Sequence, residues 1–179
     1  MRGNDGASGA SRERGSCVKD DAVAQLEHLI RAAAEIAADD IVIIGSQAIL
    51  GQFPDAPPSL RVSAKADLYP LHHPEKADLI DGSIGEFSPF HDTYGYYAQG
   101  VSESTASLPS AWKQRLVVVQ NENTRQRREL CLEVYDLPAA KAVVGREKDI
   151  DFLSEAARHG LAQRGEILSR LALVRRVFP

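Results

Sequence analysis

The sequence predicts an α+β fold: a small mixed sheet flanked by helices, in a single domain. Three observations lead there. Val23, Leu26, Ile30, Ala33 and Ala37 recur at steps of three and four, the period of an amphipathic helix. Ile41-Val42-Ile43-Ile44 is a continuous apolar run that stops at Gly45-Ser46, as a fully buried strand does. Strand-like and helix-like segments then mix without a regular βαβ rhythm and without an internal repeat, which favours a mixed sheet over a doubly wound one.

The elements follow in order. Residues 1–19 are Gly, Ser, Asn and charge, too polar to offset the entropy of ordering, and are expected to form a flexible tail ahead of one domain over 20–179. Asp20 or Asp21 can cap the first helix, and Asp39-Asp40 ends it. Gly45-Ser46 opens a short helix to about Gly51, and the Pro-rich stretch from Phe53 to Ser59 is a loop. Leu60–Tyr69 alternates and reads as a strand closed by Pro70. Pro74–Ile80 is helical. Pro89–Tyr97 is an aromatic run with Phe90, Tyr94, Tyr96 and Tyr97. Leu116–Val119 and Leu130–Tyr135 are strands joined by a polar hairpin at Asn121–Arg128. Asp136 is placed to cap a helix from Leu137 to about Val144, with Pro138 near its first turn. Gly145 breaks it, Glu147–His159 forms another helix, and Gly165–Val177 a last one.

Composition narrows the class. A chain of 179 residues is long enough for one substantial core. The net charge of −4 argues against a surface that attracts nucleic acid or anionic membrane as a whole. Local basic clusters remain at Arg125, Arg127 and Arg128, and at Arg170, Arg175 and Arg176. No apolar run approaches the roughly 18 residues of a membrane span, and no leader pattern opens the chain. Cys17 lies in the polar tail and Cys131 in an apolar run, neither at metal-finger spacing. A free buried Cys131 and a cytoplasmic, reducing location are the expectation.

Four groups of residues can carry chemistry. A Gly-Ser turn at a helix start can hold phosphate: Gly45 lets a ligand approach the backbone, and Ser46 either adds a hydroxyl donor or simply caps the helix. Alternation puts Arg61, Ser63, Lys65, Asp67 and Tyr69 on one face of their strand, a polar wall or the face of a solvated edge strand. Lys141, among small and apolar residues, must snorkel to water or meet an anion, and Arg146, Lys148, Asp149 and Asp151 follow it. Glu133 alternates with Leu132 and Val134, either as a further carboxylate facing the Arg61–Tyr69 strand or as an ordinary exposed strand residue. The histidines form no zinc pattern, and His91-Asp92 beside Phe90 is a candidate pocket wall.

Several segments carry a resemblance as an ordered set. They are Gly-Ser-Gln-Ala-Ile-Leu-Gly at 45–51, Ser-Ala-Lys-Ala-Asp-Leu-Tyr-Pro at 63–70 and Asp-Leu-Ile-Asp-Gly-Ser-Ile-Gly-Glu at 78–86. Ser-Pro-Phe-His-Asp-Thr-Tyr-Gly-Tyr-Tyr at 88–97, Asp-Leu-Pro-Ala-Ala-Lys at 136–141 and Gly-Arg-Glu-Lys-Asp-Ile-Asp-Phe at 145–152 complete it. In this order they resemble the minimal nucleotidyltransferase fold, and more closely a compact bacterial group related to the AbiEii and MenT toxins of toxin–antitoxin systems. The resemblance spans about Ile41 to Leu161.

The resemblance implies transfer of a nucleotidyl group from an NTP to an acceptor such as tRNA, with Mg²⁺ held by carboxylates and a cognate antitoxin as a partner. It assigns the acidic pair of the family to Lys65 and Asp67, its helix lysine to Lys141, and the acid after Arg-x-Lys to Asp149. Gly45, Ser46, Ser63 and Arg146 would bind the nucleotide, and Asp67 and Glu133 the metal. The chain departs from the family at Lys65, where Glu or Asp is expected. One carboxylate–cation contact near 4 Å is worth about 4 kcal/mol at an effective dielectric near 20. An ammonium at position 65 reverses that sign, so weak or absent Mg²⁺ binding is expected. The sequence is then either an inactive variant of the enzyme, a protein whose lysine replaces one metal, or a non-catalytic nucleotide-binding or interaction module of the same fold.

Overall fold

The computed structural model describes residues 21–61 and 63–174. The tail expected over 1–19, with Cys17, lies outside the described residues, as do Val62, Arg175 and Arg176. The chain is α+β, built on a five-stranded mixed sheet.

The periodic segment at the start is helix α1, Asp21–Ala37, whose Leu29, Ile30, Ala33, Ala34 and Ala37 are fully buried. Strand β1, Ile41–Ile43, follows. All three of its residues are inaccessible to water, so both faces of the sheet are covered there. The segment after it, Ser46–Gly51, is a 3₁₀ helix rather than the α-helix expected. Strand β2, Lys65–Pro70, runs antiparallel to β1 with Val42 opposite Tyr69.

The expected strand Leu60–Tyr69 is therefore shorter at its start. Pro58–Leu60 is a 3₁₀ turn, and the chain bends at Ala64 ahead of the strand. The Ser63 hydroxyl donates to the Lys65 carbonyl at 2.8 Å and accepts from the Lys65 amide at 3.1 Å. Such local side-chain bonds compete with a β ladder. Arg61 precedes the strand, and Tyr69 is buried with its hydroxyl donating to Glu103. The continuous polar face thus shrinks to Lys65 and Asp67. β2 is an interior strand, not an edge.

After a 3₁₀ turn at Pro74–Lys76, helix α2 spans Ala77–Ile84 and helix α3 spans Pro89–Tyr94, capped by Ser88. Strand β3, Tyr97–Gly100, then pairs parallel to β2, with Gln99 opposite Asp67. The sequence did not single this strand out. His28, Phe90, Tyr94 and Tyr96 pack as one aromatic group joining α1 to α3.

Strands β4, Val117–Val119, and β5, Glu129–Cys131, form an antiparallel hairpin; the strand expected to reach Tyr135 ends at Cys131, so Glu133 lies beyond it ahead of a turn. β5 lies parallel to β1, with Ile43 opposite Cys131, and the sheet order is β3-β2-β1-β5-β4. Cys131 is free and buried. The turn between β4 and β5 docks on α1. Glu27 accepts from the side-chain amides of Asn121 and Asn123, Arg125 pairs with Glu35, and Arg128 pairs with Asp40. Two of the three hairpin arginines expected to form a basic patch are thus paired with acidic residues on or just after α1.

Helices α4, Asp136–Val144, α5, Glu147–Arg158, and α6, Arg164–Leu171, complete the chain. The last helix, expected as far as Val177, ends at Leu171, and Val174 then forms an isolated bridge with Pro109. Asp136 does not cap α4. It is the first helical residue and is fully buried, with Arg115 donating to both carboxylate oxygens at 2.9 and 3.0 Å. The Arg170 guanidinium stands 3.3 Å away. A buried charge without cations would cost far more than a missing cap, so the arginines decide where this side chain points.

Candidate functional site

A cavity of about 510 Å³ opens where β1, β2 and β3 face α4 and α5. Gly45 and Ser46 lie just beyond the last residue of β1. Ser63 leads into β2, which supplies Lys65 and Asp67, and β3 supplies Gln99. Lys141 comes from α4, Asp149 from α5, and Arg146 from the junction between them. Every site residue named from the sequence lines this cavity except Glu133. The Glu133 carboxylate accepts from the Tyr135 amide at 3.1 Å and faces Arg170 at 3.6 Å, so the metal-ligand role expected for it is not supported by its position. His91 is not a wall of the cavity either; its ring packs on Tyr97, 4.6 Å between centroids.

The sheet side is tightly fitted. Lys65 Nζ lies 2.9 Å from Asp67 Oδ1 and donates to Gln99 Oε1 at 2.6 Å. The other Asp67 oxygen is turned toward Gly45, where a Cβ would sit only 2.7 Å from Oδ2. That explains glycine at this position: any side chain would push Asp67 out of place. The Ile44 amide donates to the Asp67 carbonyl at 3.0 Å, and Gln47 Nε2 donates to the Ser63 carbonyl at 2.5 Å, which ties the loop to β2. Ser46 does not cap the 3₁₀ helix, and its hydroxyl makes no hydrogen bond to a described residue. Ser63, by contrast, has committed its proton to the Lys65 carbonyl.

The helix side is a buried charge cluster. Asp149 is fully inaccessible, and each oxygen has its own cation: Lys141 Nζ at 3.0 Å from Oδ1 and Arg146 Nε at 2.8 Å from Oδ2. Burial works to raise the Asp149 carboxyl, but the hydrogen bonds and charges of Arg146 and Lys141 outweigh it and hold the group below the usual carboxylate range. Burial lowers Lys141 from its ordinary value, and Asp149 offsets only part of that. The Lys141 ammonium also sits 4.7 Å from the centre of the Phe152 ring.

Sequence reasoning missed the apolar half of the lining: Leu60, Val101, Ala106, Leu137, Ala140 and Phe152. These residues are apolar for packing in any case, so their pattern carries no separate signal. Together the halves make a pocket with a flat greasy wall and a charged one. The charged wall holds four cations (Lys65, Lys141, Arg146, Lys148) and three carboxylates (Asp67, Asp149, Asp151), a local surplus of positive charge in a chain of net charge −4. Such a cavity suits an anion attached to an apolar or aromatic body.

Mg²⁺ is commonly held by one or two carboxylates together with substrate phosphates, and here Asp67 and Asp149 are already paired with cations. Among the described residues, no group of three or more His, Cys, Asp and Glu is placed to hold a metal. Asp67 has one oxygen on Lys65 and Asp149 has both on cations, which leaves the second Asp67 oxygen and Asp151 as the cavity's carboxylate oxygens without a cation among the described residues.

No helix among the described residues is long and apolar enough to cross a membrane. No family model matches the chain, and neither a curated protein nor a solved structure matches it.

Proposed function

We propose that this chain is a nucleotidyltransferase-type protein of the toxin kind, acting in the cytoplasm. Its cavity would hold a nucleoside triphosphate, and Lys65 would keep this sequence from metal-assisted transfer to an acceptor such as tRNA. The observation that carries the reading is convergence. Three segments far apart in the chain, around Gly45, Asp67 and Lys141–Asp149, were named from the order of their motifs, and they line one cavity. The surplus of cations on one wall fits a triphosphate, and the apolar wall with Phe152 fits a base.

In this reading Lys141 and Arg146 meet the phosphates as charges, Ser46 offers its free hydroxyl, and Gly45 keeps the backbone open to the ligand. The reading gives Glu133 no part. The Arg125–Arg128 turn contributes little to holding an RNA, because Arg125 and Arg128 already face Glu35 and Asp40.

The second reading, a nucleotide-binding module without catalysis, is favoured by one specific observation: the Lys65–Asp67 ion pair occupies the place where an acidic pair would bind metal. Incubation with labelled NTPs, Mg²⁺ and total tRNA, comparing the chain with its Lys65→Glu form, separates them. Label transfer by the substituted form alone identifies an enzyme disabled at one position. Nucleotide binding without transfer by either form identifies the module. Neither binding nor transfer by either form removes the nucleotide site.

A further inference from the structure

The cavity gathers four cations, Lys65, Lys141, Arg146 and Lys148, and two of its three carboxylates, Asp67 and Asp149, are already paired with cations. Asp67 has one oxygen on the Lys65 ammonium and the other against Gly45, while Asp149 divides its oxygens between Lys141 and Arg146. A divalent ion brought in with a nucleotide would therefore share the cavity with ammonium and guanidinium groups and find Asp67 and Asp149 already engaged, with Asp151 left to it. Its own charge would add to theirs, and the local repulsion would oppose binding.

Lys65 itself carries positive charge on the sheet side of the cavity. It stands on the strand facing the Gly45-Ser46 turn, bound to Asp67 on one side and to the Gln99 carbonyl oxygen on the other. An ammonium has three N–H donors. Asp67 and Gln99 fix two, which orients the group and leaves one directed elsewhere. The side chain is about one-third exposed and lines the cavity, so the charge is reachable by a ligand.

We propose that the cavity takes a nucleoside triphosphate in its metal-free form, with the Lys65 ammonium, fixed by Asp67 and Gln99, serving as the resident counter-cation to the phosphates. This rests on the nucleotide-site reading above and deepens it: the ligand is the uncomplexed tetraanion, and Mg²⁺ competes with the protein for it. Lys141 and Arg146 meet the same phosphates from the helix side. Gln99 acts as a positioning residue, holding the ammonium without touching the ligand.

Titration calorimetry with each of the four common ribonucleoside triphosphates tests this, in excess EDTA and in saturating Mg²⁺ at matched ionic strength. Tighter binding in EDTA than in Mg²⁺ is expected for the unmodified chain. Lys65→Gln should weaken binding in EDTA about tenfold or more, the scale of one charge-assisted hydrogen bond. Lys65→Arg should keep binding within about threefold, since charge and donors remain. Lys65→Glu should reverse the metal dependence, binding in Mg²⁺ and not in EDTA.

Binding by the unmodified chain in Mg²⁺ alone overturns the resident-cation proposal and leaves the nucleotide site standing. Unchanged affinity of Lys65→Gln in EDTA also overturns it. Absence of binding by every form in both buffers overturns the nucleotide site itself. Should Lys65→Gln fail to fold, the buffer comparison on the unmodified chain and on Lys65→Arg still decides the matter.

Discussion

Asp136 and Asp149 are both fully buried, and each is held by two cations, yet they differ in what those cations can do. Asp136 meets two arginines, Arg115 and Arg170, both mostly covered, at the junction of α4 with α6 and the 3₁₀ turn Trp112–Arg115. Asp149 meets Arg146, whose side chain is 59% exposed, and Lys141, which lines the cavity. The first cluster is closed on itself and joins elements. The second shares its cations with an open space. Two equally buried carboxylates thus differ in whether their cations are closed off or open to a cavity. Glu129 completes the contrast. It is 2% exposed and has one oxygen without a hydrogen-bond donor, and the nearest charge acting on it is another carboxylate, Glu27.

The sharpest way to break the comparison is Asp136→Asn. It should cost about 3–5 kcal/mol by leaving two arginines buried and uncompensated. Thermal unfolding would show this as a fall of well over about 5 °C in Tm. A loss below about 1 kcal/mol would mean that the closed cluster is not a structural anchor.

Glu129→Gln should act in the opposite direction and only at high pH. Burial, then Glu27, raises the Glu129 carboxyl to about 8 from its usual 4.5. The folded state therefore prefers the neutral acid. Its contribution is complete below the unfolded value of 4.5 and is lost as pH rises through about 8. The substitution should stabilise by about 2–4 kcal/mol near pH 9 and change little near pH 4. Urea unfolding at the two pH values measures the difference, and equal effects at both would remove the assignment.

Asp149→Asn should cost less than the change at Asp136, roughly 1–3 kcal/mol, because Arg146 can turn to water. It should also tighten binding of a nucleoside triphosphate in EDTA, since Lys141 and Arg146 lose their competing anion. A stability loss as large as that of Asp136→Asn, with no change in binding, would make the two clusters equivalent. The smallest effect belongs to Arg125→Ala, which removes an exposed pair with Glu35 and should shift stability by no more than about 0.5 kcal/mol.

Much of this was legible in the sequence where packing repeats. α1, β1, the β4–β5 hairpin and α5 show their buried positions as period or as β-branched runs, because one face of each must leave water. The charged half of the cavity was legible through the order of its motifs. β3 was not: Tyr97-Ala98-Gln99-Gly100 has weak strand character, and its pairing with β2 is imposed by α2 and α3 packing beside it. The start of β2 was misplaced because alternation at Arg61–Ala64 hides the local bonds of Ser63. The cap expected at Asp136 followed a valid local rule, overridden by two arginines distant in sequence. Glu133 lies outside the cavity lining, and its contacts with the Tyr135 amide and Arg170 arise only in the folded chain.

The parallel pairing of β1 with β5 also has a consequence for how the protein is made. Ile41 must wait for Glu129 before the centre of the sheet closes, and α4 and α5, which bring Lys141 and Asp149, lie later still. During synthesis the sheet-side wall emerges first, without its opposite wall and with β1 lacking one neighbour. Such long-range pairing is slow and leaves an apolar strand edge open meanwhile. The nascent chain therefore holds no complete cavity until α5 has been made, and the two walls meet only once β1, β5, α4 and α5 have come together.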